Sequence, residues 1–86
     1  MESFQKKIEN LIQQSIREAR VELETLSNGH VCGHVISPEF DGVSHKDRRL
    51  RVREVLEEGL ARDEMLNVST LLTYTPAEWS WDLQQS

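Results

Sequence analysis

Eighty-six residues with a net charge of −5 leave room for one small core, because a domain of this size buries only about 60% of its unfolded surface. That excludes a large active-site cleft, and the acidic balance argues against a general nucleic-acid binder. No apolar run of about 18 residues exists to cross a membrane, and Glu2 and Gln5 stand where a secretory signal would be basic and then hydrophobic, so a cytoplasmic protein is expected.

In chain order, Phe4, Ile8, Leu11, Ile12, Ile16 and Ala19 recur at helical spacing behind Ser3, a suitable N-cap, which predicts an amphipathic helix from residue 3 to about 18. Arg20 to Thr25 then alternates, Val21 and Leu23 against Arg20, Glu22 and Glu24, with the period of a half-buried strand. Ser27-Asn28-Gly29 turns the chain, since Asn-Gly favours the positive φ of a tight hairpin, and residues 30–37 return antiparallel until Pro38. Ser44 and Asp47 are spaced as a capping box for a second helix whose buried stripe is Val52, Val55, Leu56 and Leu60. Gly59 costs about 1 kcal/mol relative to alanine in a helix interior, so the helix is expected to fray or end there, before a short turn around residues 63–66. Residues 68–74 are rich in β-branched and aromatic side chains and read as a third strand; Pro76 suits the first turn of a short terminal helix carrying Trp79. The order is α-β-β-α-β plus a small extra helix, one domain over residues 1–86.

The soft metal ligands end early: His30, Cys32, His34 and His45 all lie in the first 45 residues. On an extended strand His30, Cys32 and His34 project to one side at intervals of roughly 7 Å, while Val31, Gly33 and Val35 project to the other. Two neighbours in that row suit zinc, copper or an iron–sulfur iron if a partner completes the coordination sphere, for three ligands on one flat strand do not close a tetrahedral site. The plainer reading is a half-exposed strand decorated with His and Cys. A single cysteine makes no internal disulfide, so Cys32 is free or a ligand.

Charge is concentrated in one segment. Lys46, Arg48, Arg49, Arg51 and Arg53 are five of the ten basic residues and leave that segment at about +4, with Asp47 the only acid among them. Positions 48 and 51, or 49 and 53, are neighbours on a helix while the two pairs diverge, so the patch is broad. It serves as a solvated face paired with Glu54, Glu57 and Glu58, as a dock for an acidic partner, or as a DNA contact in which Arg and Lys meet phosphates and Arg reads guanine edges. No Gly-rich phosphate loop, Gly-x-Ser-x-Gly elbow or His-Glu-x-x-His occurs, and no third group orients Cys32 and His34, so no enzyme is expected. Trp79 is expected to cover the edge of the core, and Trp81 with Leu83 to add to a partner-binding patch if exposed.

Two stretches carry a family resemblance: Ile36-Ser37-Pro38-Glu39-Phe40-Asp41-Gly42-Val43-Ser44 ahead of the basic helix, and Thr73-Tyr74-Thr75-Pro76-Ala77-Glu78-Trp79 near the end. In this order and spacing the chain resembles the BolA family over nearly its whole length. The resemblance implies an α+β domain with a three-stranded mixed sheet and helices packed on one face, similar to the type II KH arrangement, though the Gly-x-x-Gly loop with which KH domains clamp nucleic acid is absent. It also implies a monothiol glutaredoxin partner and a shared two-iron two-sulfur cluster, with none when the protein is alone. In the family one ligand comes from the loop and strand start after the first strand, and one from a histidine just before the last strand. His30 falls at the loop position and Cys32 is close enough to substitute, but the C-terminal histidine position holds Asn67, whose amide is a poor iron ligand. A bridged cluster would have to draw on His30, Cys32 or His34. The family resemblance further suggests a DNA-binding transcriptional regulator using the segment 46–53, and the chain's departure at 67 suggests a divergent member that binds a protein partner without a cluster.

Overall fold

The computed structural model describes residues 3–85, with side chains described as far as residue 80. In order these form α1 (Phe4–Ser15), β1 (Arg20–Thr25), β2 (Val31–Ile36), a 3-10 turn (Pro38–Phe40), α2 (His45–Gly59), the single-turn α3 (Arg62–Met65), β3 (Val68–Tyr74) and α4 (Pro76–Gln85). The three strands make one mixed sheet in the order β1-β2-β3, β1 antiparallel and β3 parallel to the central β2. A parallel neighbour requires a crossover, and α2 with α3 supplies it.

Register assigns the faces. Val21 pairs with Val35 and Val35 with Thr73, so these side chains share the face covered by α1 and α2. There Ile8, Ile12 and Ile16 meet Val31, Val35, Phe40, Val52, Val55, Leu56 and Leu60 in one buried cluster. On the other face Glu24 pairs with Cys32, Glu22 with His34, His34 with Leu72, and Ile36 with Tyr74.

One glycine permits a close approach and another a turn. Gly33 has φ 156°, and a Cβ there would collide with the Glu22 carbonyl oxygen and lie 2.9 Å from Leu23 Cα, so β1 and β2 come together across a position only glycine fills. The β2–β3 ladder is irregular beside it, Val68 to Leu71 of β3 spanning Val31 to Gly33 of β2. Gly29, at φ 87°, supplies the hairpin turn expected of Asn28-Gly29, while Asn28 Oδ1 accepts the His30 N–H at 3.0 Å.

The strand boundaries of β1 and β3 agree with the sequence reading, and Ser44 caps α2 by accepting the Asp47 N–H at 3.2 Å. Three expectations shift. The first helix ends at Ser15 because the next turn is held by the Ser37-Pro38-Glu39 segment: Arg17 donates its N–H to Glu39 Oε2 at 2.9 Å and accepts from Ser37 Oγ at 2.5 Å. The second strand begins at Val31, leaving His30 in the hairpin loop with its carbonyl accepting the Leu26 N–H. The expected turn at 63–66 is the short helix α3.

Candidate functional site

Only part of the expected ligand row stands together. Cys32 and His34 share the face opposite the core, each across from a glutamate of β1, whereas His30 lies before the strand. His34 is not presented to solvent: its ring stacks on Trp79 with centroids 4.4 Å apart and meets Tyr74 edge-on at 6.1 Å, and Tyr74 and Trp79 lie 5.3 Å apart. Its Nε2 is buried and stands 3.1 Å from Glu22 Oε2 without hydrogen-bond geometry. An aromatic stack of this kind contributes about 0.5–1.5 kcal/mol beyond area burial, so it gives His34 a packing role. Trp79 thus covers the sheet on the face away from the main core, where Ile36, paired with Tyr74, is buried but outside the main cluster. The side chains of Trp81 and Leu83, read as an extension of a partner patch, lie outside the described residues.

The two ligand positions implied by the resemblance converge at one end of the sheet. Val31 donates its N–H to the Asn67 carbonyl at 2.9 Å, which makes residue 67 the neighbour of the β2 start. One side offers His30 and Cys32; the other offers a carboxamide whose nitrogen turns back to donate to the Asp63 carbonyl at 3.3 Å. Among the described residues no three His, Cys, Asp or Glu side chains gather around a point. Of the two positions that the resemblance implies, the β2 side keeps donors in His30 and Cys32, and position 67 holds a carboxamide, which is a poor iron ligand.

The basic helix also separates into parts. Arg48, expected as a surface contact for nucleic acid or a partner, is 5% exposed. Its Nε donates to the Val43 carbonyl at 2.8 Å and its two terminal nitrogens to Glu78 at 2.8 and 3.3 Å, so it is an internal clamp between α2 and α4. Arg51 donates to Glu39 at 3.1 Å and to the Ser15 carbonyl at 2.7 Å, and Arg53 pairs with Glu57 at 2.6 Å. Lys46 and Arg49 are exposed, and their side chains have no partner among the described residues.

Glu78 is the functional-looking carboxylate that sequence reasoning passed over, and its work is structural. Arg48 first, then the Thr75 N–H, hold its pKa down to about 2 from an ordinary 4.5. It accepts the Thr75 N–H at 2.7 Å while its own N–H donates to Thr75 Oγ1 at 3.1 Å, a reciprocal cap for α4. The Thr-x-x-Glu spacing in the sequence was the available signal. The closing Tyr-Thr-Pro-Ala-Glu-Trp stretch therefore has a physical account: Tyr74 and Trp79 pack on His34, Thr75 and Glu78 cap, and Glu78 locks Arg48. The Ser37-Pro38-Glu39-Phe40 stretch does the same beside it at the same end of the sheet, where Ser37 donates its N–H to the Tyr74 carbonyl, with Phe40 buried and Glu39 tying the Arg17 backbone to Arg51. The Arg17 N–H and then Arg51 lower the Glu39 pKa.

The sequence matches no family model and no curated protein. Solved structures do match. A BolA protein homologue from Coxiella burnetii is 29% identical, with a TM-score of 0.64, over 85% of this chain and 91% of its own. BolA1 from Arabidopsis thaliana is 19% identical with a TM-score of 0.72, over 91% of this chain and 98% of its own. The chain has a BolA-like fold. A Bol-like protein from Babesia bovis, 17% identical with a TM-score of 0.62 over 91% of both chains, has the same architecture. Within the BolA-like fold the two stretches that carried the resemblance are the two interlocks just described. No helix among the described residues is long and apolar enough to cross a membrane.

Proposed function

We propose that this BolA-like chain is a non-enzymatic interaction domain that pairs with a monothiol glutaredoxin in the reducing cytoplasm, through a contact that does not depend on two ligands from this chain. The observation that carries the reading is the juxtaposition of Asn67 with the start of β2. It keeps the geometry of the family's ligand end, with His30 and Cys32 nearby, and removes the donor from one side. A DNA reading has less support, because the cation that would sit deepest in the patch, Arg48, is used internally.

The test is anaerobic titration of the chain into a monothiol glutaredoxin, followed by calorimetry without a cluster and by visible circular dichroism with the glutaredoxin's own cluster. A one-to-one complex is expected in the calorimeter, with little change in the cluster spectrum. Asn67→His should then produce a new spectrum at one-to-one stoichiometry, lost again on replacing His30 and Cys32 by Ala. Absence of any complex with either form would overturn the pairing. A new spectrum with the unsubstituted chain would overturn the claim that the contact leaves the cluster's ligands unchanged, and would point to His30, Cys32 or His34 as a ligand.

A further inference from the structure

β3 is an edge strand, and its outer edge has no strand partner among the described residues. Proteins usually protect such edges with charge, proline or a covering element. β1, the other edge, alternates Arg20, Glu22 and Glu24 along its exposed face, but Val-Ser-Thr-Leu-Leu-Thr-Tyr of β3 carries no charge and no proline. Beside it runs a groove between α2 and β3, in two adjoining stretches of 390 and 270 Å³ that together follow the strand from Val68 to Tyr74. The helix wall presents His45, Arg49 and Val52, with Arg49 lining both stretches.

We infer that this groove is a docking site for an extended acidic peptide that adds to the sheet as a fourth strand beside β3. Backbone pairing along an open edge provides the affinity of such additions, and pockets for alternate side chains provide the selectivity. Here the alternation is set by the faces. On the helix side an incoming side chain meets the exposed Arg49, which has no partner among the described residues, with His45 nearby, and this calls for a carboxylate. On the opposite side it meets Leu72, 52% exposed, which calls for an apolar residue. A peptide alternating acidic and apolar residues satisfies both. A second copy of this chain is the poorer occupant, since β3 against β3 would bring two Arg49 and His45 walls together. Single-stranded nucleic acid would need several backbone cations and a series of stacking rings, whereas the groove offers Arg49, His45 and one ring, Tyr74. The inference does not depend on the glutaredoxin pairing.

The experiment is amide chemical-shift mapping of the full chain with a capped peptide alternating valine and glutamate, matched in length to β3. The controls are the same peptide with lysine for glutamate and an oligothymidylate. Shifts confined to residues 68–74 and the facing turn of α2 are expected with the acidic peptide. Arg49→Glu, an exposed change that leaves the core intact, should weaken it by about tenfold while letting the lysine peptide bind. The inference is overturned if neither peptide moves these amides, if the lysine peptide binds the unsubstituted chain as well as the acidic one, if the oligonucleotide moves them at lower concentration, or if they move with protein concentration alone.

Discussion

Glu78 shows how much one carboxylate can hold when it serves two elements. Its oxygens accept from Arg48, whose side chain is only 6% exposed, and from the Thr75 N–H at the start of α4. Removing the Glu78 carboxylate leaves both a buried guanidinium and an uncapped helix start, and the uncompensated buried charge is the costlier of the two. Because the folded pKa, about 2, lies below the ordinary 4.5, the stability it contributes is fully present above pH 4.5 and is lost as pH falls toward 2. With the carboxylate side chain itself 41% exposed, solvent screening leaves about 1–2 kcal/mol for this effect. Glu39 and Glu64 shift in the same direction, each chiefly through a backbone N–H that its carboxylate accepts, from Arg17 and Ala61 respectively. Urea unfolding followed from neutral pH down to about 3 should therefore show a falling midpoint, and Glu78→Gln should lower the neutral-pH stability while flattening the acid branch. An acid branch unchanged by that substitution would mean that the Arg48 pairing contributes nothing measurable.

Between elements, the decisive contact of the helical layer is a glycine. Helix α2 ends at Gly59 as its low propensity predicts, and a Cβ there would press on the Leu11 side chain of α1, 2.7 Å from Cδ1. The missing side chain lets the two helices approach, which offsets the propensity cost of about 1 kcal/mol. Gly59→Ala should hence gain less than the about 1 kcal/mol that its better propensity offers, because the flexible end of Leu11 must turn aside, and the double substitution with Leu11→Ala should be more stable than the two single changes added together. Thermal or urea unfolding of the four proteins gives that coupling directly; simple additivity would remove the contact from the account. The contrast marks what a sequence can and cannot show. Periodicity placed the three strands and both long helices, and the Asn28-Gly29 turn fixed the hairpin, because these are local choices of φ and face. The clamp made by Arg48 and the stacking of His34 were not legible because each role depends on a residue distant in the chain, Glu78 and Trp79, and so does the contact of Gly59 with Leu11. The spacing of His30, Cys32 and His34 showed which residues share a face, but not that His34 would be stacked beneath a tryptophan.

At the scale of the whole molecule, a net charge of −5 surrounds a segment that is basic in composition but largely neutralised in space. Arg48 is buried on Glu78, Arg51 is tied to Glu39 and Ser15, and Arg53 is paired with Glu57. Among the described residues Lys46 and Arg49 have no partner and remain for external anions, and they lie one turn apart near the start of α2. Counterion release scales with the phosphates engaged, at about −0.9 in log K against log salt for each. Five cations acting together would give a slope of about −4.5; two give about −2, with weak binding at physiological salt. Fluorescence anisotropy with a labelled DNA duplex across a salt series measures this slope. A value near −2, insensitive to Arg51→Gln and reduced by Arg49→Gln, is expected from the arrangement of the helix. A slope near −4.5 would require the internal pairs of Arg51 and Arg53 to open on contact with DNA and Arg48 to leave Glu78, and it would return the basic helix to the role of a nucleic-acid reader.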